Sequence, residues 1–311
     1  MIPNPYKRID SAYDRFYLTW IINNICTNHC SYCPDYLHRG QNHNYQWRDA
    51  QQFIQQLLEH HPRVHLIVSG GEPTVSPFLP DLLREFAGPE HFVGVSSNGV
   101  RSADYWAGLG VDTLNLSYHP SAHTDSWLDR ARDCQQHAGQ VVVNCMMDPQ
   151  HWDLAVKQYY RTLEQTELDC QPIQLQDWGA QQIPYTHKQL EWLASAAGRI
   201  TAQQSAPEIT ATDDQGFQQA VDPEQLVRLG QNQFPNWSCD IGLRSAFVQF
   251  DGSWRRANCE QGGYLGWIKA GYQPRTQPVR CGYTSCACTT DIKVPKRQDQ
   301  RPVWRLSQST R

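Results

Sequence analysis

The chain has 311 residues, of which 40% are hydrophobic and 19% are charged. This length and composition can bury a substantial core, as one large domain or as a domain with an appendage. The formal net charge is −4, so no overall positive field favours nucleic acid or an anionic membrane as a partner. No stretch approaches the roughly 20 apolar residues of a membrane span, and the first residues lack the apolar run of a signal peptide. We therefore expect a cytoplasmic protein.

Residues from about 17 to 177 alternate short apolar runs with segments of helical spacing. The expected strands are 17–22, 64–68, 91–96, 113–117, 141–146 and 172–176, and the expected helices are 47–60, 79–86, 102–109, 125–137 and 153–165. Repeated strand–helix units predict a parallel sheet, because parallel neighbours need crossover connections that are usually helices. An open sheet and a curved partial barrel both fit this pattern, and both place a ligand site at the carboxyl ends of the strands.

The remainder of the chain divides into two further parts. A helix is expected from His187 to Ala197, and a polar stretch rich in Gln, Asp and Ala follows it. We interpret residues 186–232 as a helical and polar bridge outside the core. It would connect a barrel over residues 1–185 to a cysteine-rich extension over residues 233–311.

The number and grouping of the cysteines indicate metal binding. Eleven cysteines are unusual for a chain in a reducing compartment, where structural disulfides are rare. Eight of them form two groups, which are Cys26, Cys30 and Cys33 near the start and Cys239, Cys259, Cys281, Cys286 and Cys288 near the end. The other three are Cys134, Cys145 and Cys170.

The first group has the spacing Cys-x3-Cys-x2-Cys in one compact loop. Structural zinc sites usually take four ligands in two paired arms. The residues that would complete a zinc site here are His29, His38 and His43. Three thiolates on a 4Fe–4S cluster instead leave one iron without a protein ligand, open to a substrate or a cofactor.

The motif Cys26-x3-Cys30-x-Tyr32-Cys33 resembles the signature of the radical S-adenosylmethionine (SAM) superfamily. In that family the amino and carboxylate groups of the SAM methionine chelate the open iron of the 4Fe–4S cluster. One electron from the cluster then breaks a sulfur–carbon bond to give a 5′-deoxyadenosyl radical. The resemblance places Tyr32 beside the adenine. It covers about residues 17–180 and implies an α/β fold with a partial (β/α)6 TIM-like barrel.

A second motif, Gly70-Gly71-Glu72-Pro73, resembles the turn that binds the SAM amino group in the same family. A Gly-Gly-Glu sequence alone is a weak signal, because it also occurs in ordinary turns. Its position one strand after the cysteine loop makes the two motifs together a strong signal. The resemblance also implies SAM contacts for a further set of polar residues, each of which fits an ordinary structural hydrogen bond equally well. These residues are Ser97, Asn98, Ser117, Asn144 and either Gln174 or Gln176.

Between Cys239 and Cys259, two β-rich arms flank the turn pair Asp251-Gly252, which predicts a β-hairpin. Because a hairpin returns its ends to proximity, we expect Cys239 and Cys259 to meet. The region resembles the twitch domain, a shortened relative of the SPASM extension behind many radical SAM barrels. The resemblance implies an auxiliary 4Fe–4S cluster held by Cys239, Cys259, Cys288 and one of Cys281 and Cys286. A zinc knot is the alternative that the spacing leaves open.

The family resemblance implies an oxidoreductase-type enzyme whose 5′-deoxyadenosyl radical abstracts a hydrogen atom from a substrate. The substrate radical would then be oxidised, cross-linked or, in an epimerisation, given a hydrogen atom by a thiol. Cys145 is the candidate donor, with an inert buried thiol as the alternative.

A peptide is the expected substrate, with a small metabolite as the alternative and a non-catalytic iron–sulfur or zinc module as the alternative of another class. Only 25 residues precede Cys26, fewer than a winged-helix peptide-recognition domain needs, which weakens the peptide hypothesis without removing it. The basic stretch from Lys293 to Arg311 is typical of a solvated or disordered terminus. The alternative is a docking segment for an acidic partner, such as a flavodoxin or ferredoxin electron donor or a leader peptide. The net negative charge of the chain argues against RNA as a substrate.

Overall fold

The computed structural model describes residues 4–38, 40, 45–175, 183–200 and 208–298. Its strands are β1 (Tyr6–Ser11), β2 (Phe16–Ile21), β3 (Val64–Ser69), β4 (Phe92–Ser97), β5 (Val111–Tyr118), β6 (Ala138–Met146), β7 (Asp169–Ile173), β8 (Ile209–Asp213), β9 (Gln218–Val221), β10 (Ser238–Cys239), β11 (Ser245–Val248), β12 (Ser253–Arg255), β13 (Tyr264–Trp267), β14 (Val279–Arg280) and β15 (Lys296–Arg297). Its helices are α1 (Trp47–His60), α2 (Leu79–Glu85), α3 (Trp127–Cys134), α4 (Trp152–Gln165), α5 (His187–Ile200), α6 (Pro223–Arg228) and α7 (Thr289–Lys293).

A nine-stranded sheet forms the frame of the molecule, with the order β13-β12-β11-β2-β3-β4-β5-β6-β7. The strands from β2 to β7 are all parallel and follow one another in chain order. This arrangement confirms the predicted parallel sheet and brings the carboxyl ends of six consecutive strands to one edge. The sheet is not a closed barrel within the described residues, since β7 and β13 are its two ends.

Helices cover the outer face of this sheet and bury the main hydrophobic core. In α1 the buried residues are Ala50, Phe53, Ile54 and Leu57, whose spacing places them on one face of the helix. The outward-facing strand residues Leu66, Val95 and Leu114 are fully buried against the helix layer. The opposite side chains of the same strands line the interior of the curved sheet, because strand residues alternate between faces.

Two expected elements differ from those observed. The helix expected over residues 102–109 is a short 3-10 segment, Ala103–Trp106, and Gly108 and Gly110 follow it with φ angles of +73° and +66°. Such left-handed residues end a helix. The last parallel strand begins at Asp169, three residues before the expected start. It accommodates Pro172 because an edge strand can lack one backbone donor.

A second sheet has the order β14-β10-β15-β1-β8-β9 and was not expected from the sequence. Strands β8 and β9 come from the segment that we interpreted as a polar bridge. That interpretation is wrong for Ile209, Ala211 and Val221, which are buried in a core with Ile9 and Phe234. The error arose because each strand is short and its outward residues are polar, so the apolar alternation occupies only a few positions.

The predicted hairpin is present as β11 and β12, joined around Asp251-Gly252. Its first strand pairs in parallel with β2, so the hairpin extends the nine-stranded sheet beyond the first strand of the barrel. The cysteines before and after the hairpin therefore lie between the two sheets. None of the described helices combines the length and apolar character that a membrane crossing requires.

Buried His65 predicts a loss of stability in mild acid. Its side chain is 5% exposed, and burial lowers the pKa of His65 to about 3. The unfolded chain takes up a proton near pH 6.5 while the folded chain does not, so stability should fall as the pH drops below about 6.5. From pH 7 to pH 5 this one group should remove up to about 2 kcal/mol from the free energy of unfolding.

Urea unfolding of the metal-free protein at pH 7 and pH 5 measures this difference. In His65→Asn the decrease in the free energy of unfolding between pH 7 and pH 5 should be smaller by up to about 2 kcal/mol. The matched control is His187→Asn, because His187 is exposed at the start of α5. An unchanged pH dependence in His65→Asn would show that His65 is charged in the folded protein.

Candidate functional site

The cysteine loop follows β2 and is fixed by two fully buried asparagines, Asn23 and Asn24. The Asn23 Oδ1 atom accepts from the Ile25 amide at 3.1 Å, and the Asn24 side chain donates to the Tyr36 carbonyl at 3.0 Å. The Gly40 amide donates to the Asn24 carbonyl at 3.2 Å. These bonds satisfy backbone groups that the loop, having no regular secondary structure, would otherwise leave buried and unpaired.

The three predicted cluster ligands lie within this loop. Cys30 is buried, and Cys26 and Cys33 are half-buried. Burial raises the pKa of all three thiols, and the neighbouring Cys30 and Cys26 help to raise that of Cys33, to about 12. Thiolates in such a place need compensating positive charge, and a bound iron–sulfur cluster supplies it. The donor set therefore fits a cluster held by three thiolates.

The histidines of the zinc alternative occupy other positions. The His38 Nε2 atom lies 3.1 Å from the Cys33 carbonyl oxygen, and the His29 ring lies 6.1 Å from the His38 ring. His43 is outside the described residues. Within the described ranges, no three His, Cys, Asp or Glu side chains form a group that could hold a single metal ion. His38 is therefore a backbone contact of the loop.

The glycine turn lies directly against the cysteine loop. The Gly71 amide donates to the Asn23 carbonyl at 3.0 Å, and the Glu72 amide donates to the Ile25 carbonyl at 2.7 Å. A Cβ atom on Gly70 would lie 2.6 Å from the Asn23 oxygen, and one on Gly71 would lie 2.3 Å from the Ile25 oxygen. Only glycine permits this close approach of two backbones. Pro73 is buried and begins the short 3-10 segment Pro73–Val75.

The Glu72 carboxylate is fully buried and joins the glycine turn to the loop after β4. Its Oε1 atom accepts from the Thr74 amide at 3.0 Å, from the Thr74 hydroxyl at 2.6 Å and from the Ser97 hydroxyl at 2.9 Å. Its Oε2 atom accepts from the Asn98 amide at 2.7 Å. Both carboxylate oxygens are therefore committed to protein partners.

Asn98 continues this network to the cysteine loop. Its side-chain nitrogen donates to the Thr27 hydroxyl at 2.8 Å and lies 3.9 Å from the Cys26 sulfur. The Asn98 carbonyl accepts from the Trp127 indole at 2.9 Å. The loops after three consecutive strands thus form one hydrogen-bonded unit that contains both predicted motifs.

Sequence reasoning missed His119, which lies beside Tyr32. The Tyr32 hydroxyl is 2.7 Å from the His119 Nδ1 atom, and the two rings lie nearly parallel, with an interplanar angle of 15° and centroids 6.2 Å apart. The same Nδ1 atom lies 3.4 Å from the Cys30 sulfur. Burial lowers the pKa of His119 to about 4, so the ring is neutral. In the sequence, His119 could have been recognised only from its position directly after β5. That position lies at the edge of the sheet where the cysteine loop and the glycine turn also lie.

A cavity of about 800 Å³ lies inside the curved sheet. Asn144 lines it, and the register partner of Asn144 on β7 is Gln171, which also lines the cavity. The predicted Gln174 is exposed beyond the end of β7, and Gln176 lies outside the described residues. Gln171 is missing from the sequence-based candidates because the strand expected there begins at Pro172, three residues after its observed start. Ser117 pairs in register with Asn144 at the upper end of the same wall.

Cys145 lies on the opposite face of β6 from this cavity. It is fully buried in the core beneath the helices, and its sulfur is 3.7 Å from the sulfur of Cys170. Cys134 is likewise buried, on α3. None of these thiols lines the cavity, and we therefore assign Cys145 no part in the proposed reaction.

A second cavity lies between the two sheets and is lined by four thiols, Cys239, Cys259, Cys281 and Cys286. The hairpin thus brings Cys239 and Cys259 to one place, as predicted. Burial raises the pKa of Cys286 to about 12 and also raises that of Cys239 and Cys259. Cys288 does not line this cavity and instead immediately precedes α7.

Two charged residues that the sequence did not single out border the thiols. The Asp291 carboxylate accepts from the Cys259 amide at 2.7 Å and from the Asn258 amide at 3.3 Å. The Lys296 ammonium is buried and donates to the carbonyls of Asp291, Ile292 and Val294 at 2.7–2.9 Å. Lys296 belongs to the basic stretch at the end of the chain, and it places a positive charge beside the thiols. A cation there favours thiolates and the anionic cluster that they would hold.

The short helix α7 separates the two cavities. Thr289 and Lys293 line the cavity inside the curved sheet, whereas Asp291 lines the cavity of the thiols. The two spaces are therefore roughly one helix diameter apart, about 10 Å.

Comparison with known proteins agrees with this site. Residues 20–121 match the sequence model of the Radical SAM superfamily, which spans the cysteine loop, the glycine turn and the Ser97-Asn98 loop. The resemblance to this superfamily is thereby confirmed for that part of the chain. No curated protein sequence gives a significant match.

Solved structures of two proteins are similar over most of the chain. Native anSMEcpe with bound AdoMet matches with a TM-score of 0.52 and 13% identity, over 81% of this chain and 77% of that one. Streptococcus suis SuiB bound to S-adenosylmethionine matches with a TM-score of 0.57 and 13% identity, over 81% and 63%. SuiB bound to the precursor peptide SuiA gives a TM-score of 0.51 and 11% identity, over 78% and 59%. At these identities the similarity establishes the fold.

The Glu72 network makes a direct prediction about stability. In Glu72→Gln an amide group would face donors that now bond to a carboxylate, which leaves buried partners unpaired. We expect the free energy of unfolding to fall by about 2–4 kcal/mol. Urea titration of the metal-free protein measures this loss.

The matched control is Glu85→Gln, because Glu85 accepts one side-chain bond, from Gln51 at 2.6 Å, near the surface. Its loss should stay within about 1 kcal/mol. Equal losses in the two variants would contradict the central role of the Glu72 carboxylate.

Proposed function

We propose that this protein is a radical SAM enzyme that reductively cleaves SAM and abstracts a hydrogen atom from a peptide substrate. The observation that carries the proposal is the single hydrogen-bonded unit formed by the cysteine loop, the glycine turn and the Ser97-Asn98 loop. This unit stands above a cavity of about 800 Å³, at the edge where ligands bind in sheets of parallel strands.

In this proposal Cys26, Cys30 and Cys33 hold a 4Fe–4S cluster, and the backbone of Gly70-Gly71 receives the SAM amino group. When bound, the cluster and SAM supply the electron and the 5′-deoxyadenosyl radical. The protein has to orient these groups and keep other hydrogen donors away. Tyr32 offers a ring surface for the adenine, and its contact with His119 fixes that ring. Ser117 and Asn144, at the upper end of the cavity wall, are placed to contact the ribose.

We further propose that Cys239, Cys259, Cys281 and Cys286 hold an auxiliary 4Fe–4S cluster. The cavity that they line measures about 40 Å³, so these thiols would have to move apart to admit the cluster. Four thiols around one cavity support this ligand set, and the position of Cys288 outside it supports its exclusion. The buried Lys296 ammonium adds the positive charge that such an anionic group requires. When bound, the auxiliary cluster would supply a one-electron acceptor beside the substrate.

The separation of the two cavities by α7 supports an oxidation as the outcome. In such an oxidation a substrate C–H bond would give up one hydrogen atom to the radical that bound SAM supplies, one electron to the auxiliary cluster and one proton to solvent. The substrate would lose two electrons and two protons in total, and a reduced flavodoxin or ferredoxin would supply the electron that cleaves SAM.

A peptide is favoured as substrate for two reasons. The related SuiB structure contains a precursor peptide, SuiA. Side-chain amides line the cavity, namely those of Asn115, Gln140, Asn144, Gln171 and Gln225. A side-chain amide both donates and accepts, and so matches the amide groups of a peptide backbone.

The test of SAM cleavage uses anaerobic protein reconstituted with iron and sulfide and reduced with dithionite. Formation of 5′-deoxyadenosine from SAM is expected, with about eight irons per chain for two cubane clusters. Replacing Cys26, Cys30 and Cys33 together with alanine should abolish the product and retain about half the iron. Product formation at the wild-type rate in this triple variant would overturn the proposal.

The ligand set of the auxiliary cluster is tested by single substitutions. Cys281→Ala should lower the iron content toward four per chain, because a cubane that loses one of four thiolates becomes labile. Cys288→Ala is the matched control and should keep about eight. The reverse result would replace Cys281 with Cys288 in the ligand set.

A further inference from the structure

The lower end of the cavity inside the curved sheet is lined by groups that neither SAM nor a cluster would use. Arg15 stands just before β2, and His65 and Phe92 lie at the starts of β3 and β4. The Arg15 guanidinium carbon is 5.9 Å from the ring centroids of Tyr13 and of Phe92. Two aromatic rings thus hold the guanidinium at the base of the cavity.

Within the described part of the chain, no carboxylate lies within ion-pair distance of Arg15. Arg15 makes no ion pair there, whereas the other cation at this end, Lys293, is paired with Glu208 at 2.6 Å. His65 lies in the same place, 5% exposed, and its Nδ1 atom has no hydrogen-bond partner in the described ranges. His65 lines the cavity with an imidazole that has an unpartnered nitrogen, and an unpaired cation lies at the same end. Together they point to a ligand group that is supplied from outside.

We propose that Arg15 and His65 form a carboxylate-binding subsite at the base of the cavity, and that the substrate is anchored there by a carboxylate. This inference rests on the proposed function, because it names the substrate group that the same cavity receives. A guanidinium presents a planar fork that matches a carboxylate, and the imidazole adds one hydrogen bond.

The charges around the subsite favour a carboxylate over a phosphate. Arg15 contributes a single unpaired positive charge, while the carboxylates of Asp169, Glu208 and Asp222 line the same cavity. A monoanion is balanced by one guanidinium. A dianion would meet repulsion from these carboxylates without a second free cation.

The wall above Arg15 suits a peptide that carries this carboxylate. The side chains of Asn115, Asn144 and Gln171 line it and make no hydrogen bond within the described ranges. The neighbouring strand β2 runs from Phe16 to Ile21, which is roughly 17 Å at about 3.3 Å per residue. An extended peptide of about five residues spans this distance. The reacting residue would therefore stand about four residues from the anchored carboxylate.

The subsite is tested by peptide binding to the reconstituted enzyme under anaerobic conditions, with S-adenosylhomocysteine in place of SAM. The probes are three randomised hexapeptide libraries: one with a free carboxyl terminus and no acidic side chain, one amidated with a single glutamate, and one amidated and free of acidic residues. The first two distinguish a terminal from a side-chain carboxylate. We expect at least one of them to bind more tightly than the neutral library, by about 10-fold or more.

The variants then locate the contact. Arg15→Gln should remove the preference for a carboxylate, Arg15→Lys should keep part of it, and His65→Phe, which retains an aromatic ring, should reduce it. Arg63→Gln is the matched control, because Arg63 stands at the same end of the sheet, pairs with Asp14 and is exposed. It should bind all libraries as the wild type does.

Equal binding of all three libraries, binding of none of them, or an unchanged preference in Arg15→Gln would each overturn the subsite. A failure of the proposed function gives a different result from a failure of the subsite. If the carboxylate libraries bind through Arg15 but no 5′-deoxyadenosine forms from SAM, the subsite stands and the radical reaction falls. If 5′-deoxyadenosine forms but peptide binding does not depend on a carboxylate, the radical reaction stands and the carboxylate subsite is wrong.

Discussion

The buried Glu72 carboxylate is the interaction on which the site depends. It accepts four hydrogen bonds from Thr74, Ser97 and Asn98, and Asn98 extends the network to Thr27 in the cysteine loop. A buried carboxylate is costly to desolvate, and only a complete set of donors offsets that cost. The sequence therefore has to supply all of these partners together, which fixes three loops relative to one another before any ligand binds.

The second organising feature is the short helix α7. Because it lies between the interior of the curved sheet and the cavity of the four thiols, Thr289 and Lys293 can contact a substrate while Asp291 fixes the backbone of Cys259. Under the proposed function, the substrate would lie between the site that starts the radical reaction and the site that accepts an electron. The paired charges of Lys293 and Glu208 also leave Arg15 as the free cation of that space among the described residues.

Local patterns predicted the elements whose identity depends on neighbours in sequence. The parallel strands, the cysteine loop, the glycine turn and the Asp251-Gly252 hairpin were of this kind. Features that depend on distant residues were not predicted. His119 is recognisable only from its contact with Tyr32, the burial of Lys296 only from carbonyls at the end of α7, and the second sheet only from the pairing of β1 with β8. Gln171 was not among the candidates because the start of a strand is weakly specified by sequence alone.

The central claim is that SAM binds directly to a cluster in the first cysteine loop. Electron paramagnetic resonance of the reduced variant Cys239→Ala/Cys259→Ala tests it most directly, because only the cluster of Cys26, Cys30 and Cys33 would remain. The account predicts one 4Fe–4S signal whose g values shift when SAM is added, as expected for a cluster with an open iron. A signal that SAM leaves unchanged, or no 4Fe–4S signal in this variant, would contradict it.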